Sequence, residues 1–372
     1  MKNIKLLEHF NCVETTKEHN GYTYSVGRAL TIVILGSLCG LREISKIHQW
    51  AKSQHVMDFL KDNFGILSIP CYYWLLTLLK LIKPESLNQH FTAWATTLLP
   101  ESLKDMTISF DGKTIRSTGK MRGYDKPLHI LSAHLAEVGL TISQKTVDIK
   151  KNEIPAMREL LNLVDISGCM VVADALHCQI ETAEKIVDNG GDYLLNIKDN
   201  QKSLKEDIED YVQDSELRAN MNSATTREKN GGRIERRSAF TTDDIGWLES
   251  KTNWKGMSCF GAINTRFTQG GKTTNEWHYY ISSRNLVAED LLKYSRNEWS
   301  IESMHWLLDV HFGEDFCRVH DKNVNQNLNI IRKVALNYLR NYKNESGTKL
   351  PFSKIMFGCL LDCEMILTIL GI

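Results

Sequence analysis

The chain has 372 residues, of which 42% are hydrophobic and 24% charged, a composition typical of a globular protein with a sizeable core and, at about 150 residues per domain, of two or three domains. Its 45 basic residues balance its 45 acidic residues, so net charge neither supports nor excludes a nucleic-acid partner; local patches decide that. Its nine cysteines form no C-x-x-C pair and no apolar run is long enough to span a bilayer, so we expect no zinc ribbon, no membrane span and a cytoplasmic location.

Residues 1–100 are predicted to be helical. Apolar residues recur at helical spacing in four segments, at 24–41, 42–50, 71–82 and 87–99. We expect a small all-α domain here. It can serve DNA binding, although no helix-turn-helix signature is present.

Beyond residue 105, strands and helices alternate. Seven elements are predicted in chain order: strands at 106–111, 129–136 and 140–148, a helix at 153–163, a strand at 169–174, a helix at 178–188 and a strand at 193–197. The order βββαβαβ is the layout of an RNase H-like core, an α/β fold in which the first and fourth strands lie side by side. We therefore expect a core formed by residues 101–204 and 281–372.

Residues 205–280 are predicted to form a β-rich insertion. The insertion begins as a charged helix and continues with strands at 233–241, 257–268 and 277–282, the last two joined across a Gly270-Gly271 turn. We expect it to leave the core rather than to continue its sheet. A helix at about 288–310 then returns to the core.

Three acidic residues hold positions that suit catalysis. Asp111 ends the first core strand, Asp174 ends an apolar run, and Glu302 lies in a helix between Trp299 and Trp306. Strand ends in α/β sheets face the ligand crevice, and such carboxylates suit two divalent metal ions acting on a phosphodiester. We expect the two tryptophans to shield the glutamate from water.

The residues alone leave other interpretations open. An Asp before a Gly is usually a turn residue, which is the alternative for Asp111. Glu298, His305 and Asp309 share the helix face of Glu302, so spacing does not select the third acid.

Seven ordered motifs carry a family resemblance. They are FDGKTIRSTG (110–119), KKNEIPAMRELL (150–161), VVADALHCQ (171–179), GGDYLLNIKDNQ (190–201), GGRIERR (231–237), WHYYISSRN (277–285) and WSIESMHWLLDVHFGEDFCR (299–318). Together with the helical N-terminal region, they resemble the DDE-type insertion-sequence transposases, in the group that includes the H-repeat-associated proteins.

The resemblance implies that Asp111, Asp174 and Glu302 are the catalytic acids and the ligands of two Mg²⁺ or Mn²⁺ ions. It implies cleavage at the ends of an insertion sequence and transfer of the freed 3′-hydroxyl to target DNA. It also implies double-stranded DNA as partner, at least a dimer on DNA, and a place at the bacterial nucleoid. A nuclease without strand transfer and an inactive DNA-binding remnant are the alternatives.

Candidate DNA contacts follow from the same interpretation. They are Lys113, Lys198, Asn200, Gln201, Arg233, Arg236 and Arg237. Lys113 lies two residues after Asp111, on the same side of an extended strand, and the three arginines lie along one strand, where they can follow phosphates. Solvent-exposed loop residues are the plain alternative.

The chain departs from the family pattern near the glutamate. Many relatives carry a Tyr and an Arg before it and a Lys after it, whereas Glu298 stands four residues before Glu302 and Asp309 seven after. Tyr294 and Arg296 are out of that spacing, so their roles are not transferred. Gly231 stands where many members have a His.

Overall fold

A computed structural model describes residues 9–17, 24–120, 126–147, 152–230, 233–269 and 272–372. Gly231 and the predicted Gly270-Gly271 turn lie outside these residues, as does the side chain of Arg233. The division into domains at residues 100, 205 and 280 stays a prediction.

The N-terminal region is helical, as predicted. Its helices are α1 (Val26–Leu38), α2 (Ile44–Ala51), α3 (Gln54–Phe64), α4 (Tyr72–Leu81) and α5 (Pro84–Thr96). Pro84 occupies the first turn of α5, where its missing N–H has no cost, and the Ser25 hydroxyl accepts a hydrogen bond from the Arg28 N–H at the start of α1. α1 is buried along almost its whole length.

The described strands form one nine-stranded sheet in the order β3-β2-β1-β4-β5-β9-β8-β7-β6. The strands are β1 (Thr107–Thr114), β2 (His129–Leu135), β3 (Leu140–Val147), β4 (Met170–Ala173), β5 (Asp192–Ile197), β6 (Asn222–Asn230), β7 (Arg233–Thr242), β8 (Cys259–Gln269) and β9 (Lys272–Ser282). β1, β2 and β3 form the predicted antiparallel meander, and β1 lies beside β4 in parallel, as predicted.

The expectation that residues 205–280 leave the sheet is wrong. The region is β-rich, but its last strand, β9, pairs antiparallel with β5, so all four of its strands extend the same sheet. The pairing is favoured because β5 has β4 on one side only, and an uncovered strand edge exposes unpaired backbone groups.

The remaining helices cover both faces of the sheet. They are α6 (Glu153–Leu160), α7 (Ile180–Asp188), α8 (Lys202–Gln213), α9 (Ser215–Ala219), α10 (Ala288–Glu298), α11 (Ser300–Phe312), α12 (Lys322–Ser346), α13 (Phe352–Leu361) and α14 (Cys363–Leu370). Apolar side chains of α6, α7 and α8 pack on one face, with Phe110 and Ala173, and those of α10 pack on the other, with Met170 and Val172. Residues of α11–α14 share a separate hydrophobic core with the N-terminal helices. Within the described ranges, no helix combines the length and apolar character needed to cross a membrane.

Candidate active site

β1 and β4 bring Asp111 and Asp174 to neighbouring positions. Phe110 pairs with Ala173 in the parallel ladder, and each aspartate is the next residue of its strand or strand end. Neighbouring strands lie about 4.8 Å apart, so the two backbones run side by side here. The predicted juxtaposition of the two segments is therefore confirmed at the level of the backbone.

Strand alternation turns both aspartates toward the helices α10 and α11. Phe110 and Ala173 belong to the core on the opposite face, and successive side chains alternate. Asp111 Oδ2 lies 3.4 Å from Nδ1 of His305 on α11. Asp174 Oδ1 accepts a hydrogen bond of 3.1 Å from the Leu176 N–H.

Asp111 does not end its strand, contrary to the prediction. β1 continues to Thr114 because it keeps pairing with β2, up to the pair of Thr114 and His129. Its parallel partner, β4, stops at Ala173. Asp111 thus lies at the first position of β1 that has lost its β4 neighbour, which opens a gap beside Asp174.

The predicted single helix at 288–310 is divided at Trp299, which ends α10 and begins α11. Glu298 and Glu302 lie on either side of this break. Burial, followed by the negative charges of Asp174 and Asp111, raises the pKa of Glu298 to about 7. The charge of Glu302 acts in the same direction, so four carboxylates share one region of negative potential.

Glu302 itself is exposed. It lines a shallow depression with Trp299 and Trp306, which confirms that the three share a helix face. The expectation that the tryptophans shield it is wrong, since Trp306 is 59% exposed and Trp299 is 49% exposed. Both rings lie on the solvent side of the helix.

The donor chemistry fits divalent cations, because Mg²⁺ and Mn²⁺ prefer carboxylate oxygens. The raised pKa of Glu298 supports this fit, since a nearby cation would relieve the same repulsion. In the part of the chain that the structure describes, however, no three His, Cys, Asp or Glu side chains are grouped closely enough to hold an ion.

Lys113 does not lie in an exposed loop. It belongs to β1, and its ammonium group lies 2.5 Å from Asp309 Oδ1 and 3.0 Å from the buried Glu314 Oε2. Its pKa is raised by these carboxylates against the opposing effect of burial. The ammonium is thus committed to ion pairs inside the protein, which leaves it poorly placed for a DNA phosphate.

The segment after β5 lies at the same edge of the sheet as Asp174. Lys198 is exposed there, and its charge favours ionisation of Glu298. The side-chain amide of Asn200 donates to the carbonyls of Ala175 and Cys178, and that of Gln201 donates to Cys178. These amides hold the loop that follows Asp174, so positioning of that loop is their observed contact.

The three arginines of β7 do not share one surface. Arg236 is exposed, whereas Arg237 is 8% exposed and donates a 3.0 Å hydrogen bond to Ser295 of α10. Alternation along the strand places these neighbours on opposite faces. A phosphate contact by Arg237 is therefore contradicted by its burial.

The sequence gave no hint of a buried group beside Asp174. Glu153 Oε1 lies 2.7 Å from His129 Nε2, and Glu153 Oε2 lies 3.5 Å from His177 Nε2. The same His177 nitrogen lies 4.0 Å from Asp174 Oδ1. The motifs that contain these residues were visible, but their partners come from distant segments, so only the fold joins them.

Comparisons with known proteins agree with the motifs. The Transposase DDE domain family matches residues 102–338, and the DDE_Tnp_1-associated family matches residues 7–95. Two relatives from Escherichia coli K12 are each 32% identical to this chain, with 91% of both chains covered: "Putative protein YbfL" and "H repeat-associated putative transposase YhhI". A cryo-EM structure of the piggyBac transposase synaptic complex with hairpin DNA aligns with 99% of this chain and 78% of its own, at 10% identity and a TM-score of 0.44. The chain belongs to the DDE transposase family, as its motifs predicted.

Proposed function

We propose that this protein cleaves phosphodiester bonds at the ends of an insertion sequence and transfers the 3′-hydroxyl ends to target DNA. The observation that carries the proposal is the register of β1 and β4, which places Asp111 directly beside Asp174. Family membership supplies the reaction class. Double-stranded DNA is the proposed partner, at the nucleoid, and joining two ends calls for at least a dimer.

The strand order supports an RNase H-like description of the core. β1, β2 and β3 form an antiparallel meander, and β4 and β5 follow in parallel on the other side of β1. In this description the four strands β6–β9 are an addition to the free edge of the core sheet. The active site then lies where β1 outruns β4.

Asp111, Asp174 and Glu302 are the proposed ligands of two Mg²⁺ or Mn²⁺ ions, with Asp111 contacting both. When bound, such a pair activates the attacking oxygen and stabilises the leaving oxygen. The choice of Glu302 is supported by its place between Glu298 and His305, at helical spacings of four and three, since both neighbours act on Asp111.

The surrounding residues orient these carboxylates. His305 fixes one oxygen of Asp111, and the Leu176 N–H fixes one oxygen of Asp174, so each carboxylate keeps a second oxygen for another ligand. Orientation of this kind preserves geometry and strengthens ligand binding. His177, held by Glu153, restricts Asp174 from the buried side.

The experiment combines end-bearing duplex, target plasmid and protein, with Mg²⁺ or with EDTA. We expect Mg²⁺-dependent cleavage at the element ends and joined donor–target products. Asp174→Asn should abolish both products while still retarding the duplex, because removal of one ligand leaves the DNA-binding surface intact. Cleavage without joined products would reduce the protein to a nuclease, and loss of binding in a folded Asp174→Asn protein would contradict the assignment of this aspartate.

A further inference from the structure

Three arginines form a row across the added strands. Arg227 of β6 pairs with Arg236 of β7, and Arg236 pairs in turn with Arg266 of β8. All three side chains are exposed. Directly paired positions place their side chains on the same face of the sheet, so the three guanidinium groups stand side by side.

The two faces of this part of the sheet differ in charge. The arginine-bearing face also carries Lys229, two residues along β6 from Arg227, and no acidic residue of the described parts of β6–β9 shares it. The opposite face carries the acidic residues of these strands, Glu228, Glu235 and Glu276. Strand alternation thus sorts the charges, with the cations turned away from α10.

No ion pair neutralises the row. None of the three guanidinium groups has a carboxylate within salt-bridge distance in the described ranges. The acidic α8 covers the same face only at the end of the strands near Phe240 and Tyr279. Like charges directly opposite each other destabilise a sheet, so the row costs folding energy that no internal contact returns.

We propose that the row formed by Arg227, Arg236 and Arg266 binds the phosphate backbone of duplex DNA. This rests on the proposed function and assigns part of its DNA-binding surface. Three adjacent strands span about 10 Å, which is of the same order as the grooves of B-DNA, about 6 and 12 Å wide. The outer arginines can therefore reach phosphates on both edges of one groove, and arginine suits phosphate because its guanidinium donates two parallel hydrogen bonds.

The test compares the full-length protein with Arg227→Ala/Arg236→Ala/Arg266→Ala in duplex binding at several salt concentrations. We expect the affinity at low salt to fall at least about tenfold, for end-bearing and unrelated duplexes alike, and the salt slope to become shallower by about three contacts. The triple lysine variant at the same positions should keep most of the binding, because the charges remain.

A thermal unfolding measurement on the free protein separates binding from folding. Removal of the row should leave the melting temperature unchanged or raised, since like-charge repulsion is removed. A charge-matched control replaces three exposed lysines that lie far apart in the chain, Lys52, Lys61 and Lys354, with alanine. That control should bind DNA nearly as well as the unmodified protein.

Two outcomes overturn the proposal. One is a triple alanine variant that binds duplex as tightly as the unmodified protein; the other is a control variant that loses as much affinity as the row variant, which reduces the effect to net charge. An unmodified protein that fails to bind duplex at low salt instead contradicts the proposed function itself.

Discussion

At the scale of single residues, Glu298 and Glu302 differ in what surrounds their carboxylates. Glu298 is partly buried and repelled by Asp174 and Asp111, which holds its pKa near 7. Glu302 is exposed and free to turn toward an incoming ion. A carboxylic acid that is half protonated at neutral pH is the weaker metal ligand, because metal binding must first displace its proton.

We therefore predict that Glu302→Gln lowers metal-dependent cleavage of an end-bearing duplex by at least about a hundredfold, or about 2.7 kcal/mol of transition-state stabilisation. Glu298→Gln should cost far less, because it removes charge repulsion rather than a ligand. Cleavage rates of the two variants, measured side by side, decide between them. A dead Glu298 variant beside an active Glu302 variant would move the third acid by one helical turn.

The buried Glu153 gives a prediction about pH. Burial opposes its ionisation, but His129 and His177 outweigh burial and lower the pKa of Glu153 to about 2 from 4.5. A folded-state pKa below the unfolded value adds stability above pH 4.5, and this stability is lost as the pH falls toward 2. Glu153→Gln should thus lower the free energy of unfolding at pH 7 by up to about 3 kcal/mol.

Urea unfolding in metal-free buffer at pH 7, 5 and 3 checks this prediction. The difference between the two proteins should shrink between pH 5 and pH 3. Glu159→Gln on the same helix is the matched control, since its exposed pair with Lys145 is worth about 1 kcal/mol or less. A difference that stays constant with pH would mean that packing, not charge, explains the loss.

At the scale of elements, β1 depends on a glycine beside the active site. A Cβ at Gly112 would lie 2.7 Å from Glu153 Cδ and closer still to His129 Nε2. Gly112→Ala should therefore push apart the Glu153–His129 pair and destabilise the protein by about 1–3 kcal/mol. Gly246→Ala is the control, because nothing lies within 4 Å of its added Cβ. Equal urea midpoints for the two variants would contradict the prediction.

The elements show where sequence patterns are informative. The apolar run that forms β4 predicted its parallel neighbour β1 and hence the pairing of Asp111 with Asp174. β6 was missed because its sequence, NSATTREKN, has no apolar alternation; it is held by pairing with β7 on one side. The union of β9 with β5 is also invisible locally, since backbone hydrogen bonds leave no side-chain signature.

Site residues were predictable to the same degree. Spacing and motifs found the acids, whose chemistry is local to each strand or helix. Lys113 was misjudged because its partners, Asp309 and Glu314, are about 200 residues away in sequence. Arg237 was misjudged because alternation separates it from Arg236 without saying which face is buried.

At the scale of the whole molecule, the N-terminal helices and the C-terminal helices are joined by one hydrophobic core, which draws residues from 10–95 and from 301–370. Polar contacts cross the same boundary. Asn327 of α12 donates to the carbonyls of Leu79 and Ile82, and Arg42 donates to the carbonyl of His311, on the helix that carries Glu302. These contacts couple the N-terminal region to the position of the third acid.

The last prediction is that residues 1–100 do not act as a separable domain. Leu30 of α1 is 1% exposed, and Leu30→Ala should lower the free energy of unfolding by about 2–5 kcal/mol. Because the core is shared, hydrogen exchange should report this loss both in α1 and in the amides of α12. Deletion of residues 1–100 should leave a chain that binds hydrophobic dyes and lacks a cooperative transition. A truncated protein that still unfolds cooperatively and cleaves DNA would show instead that the N-terminal helices are an independent attachment to the catalytic core.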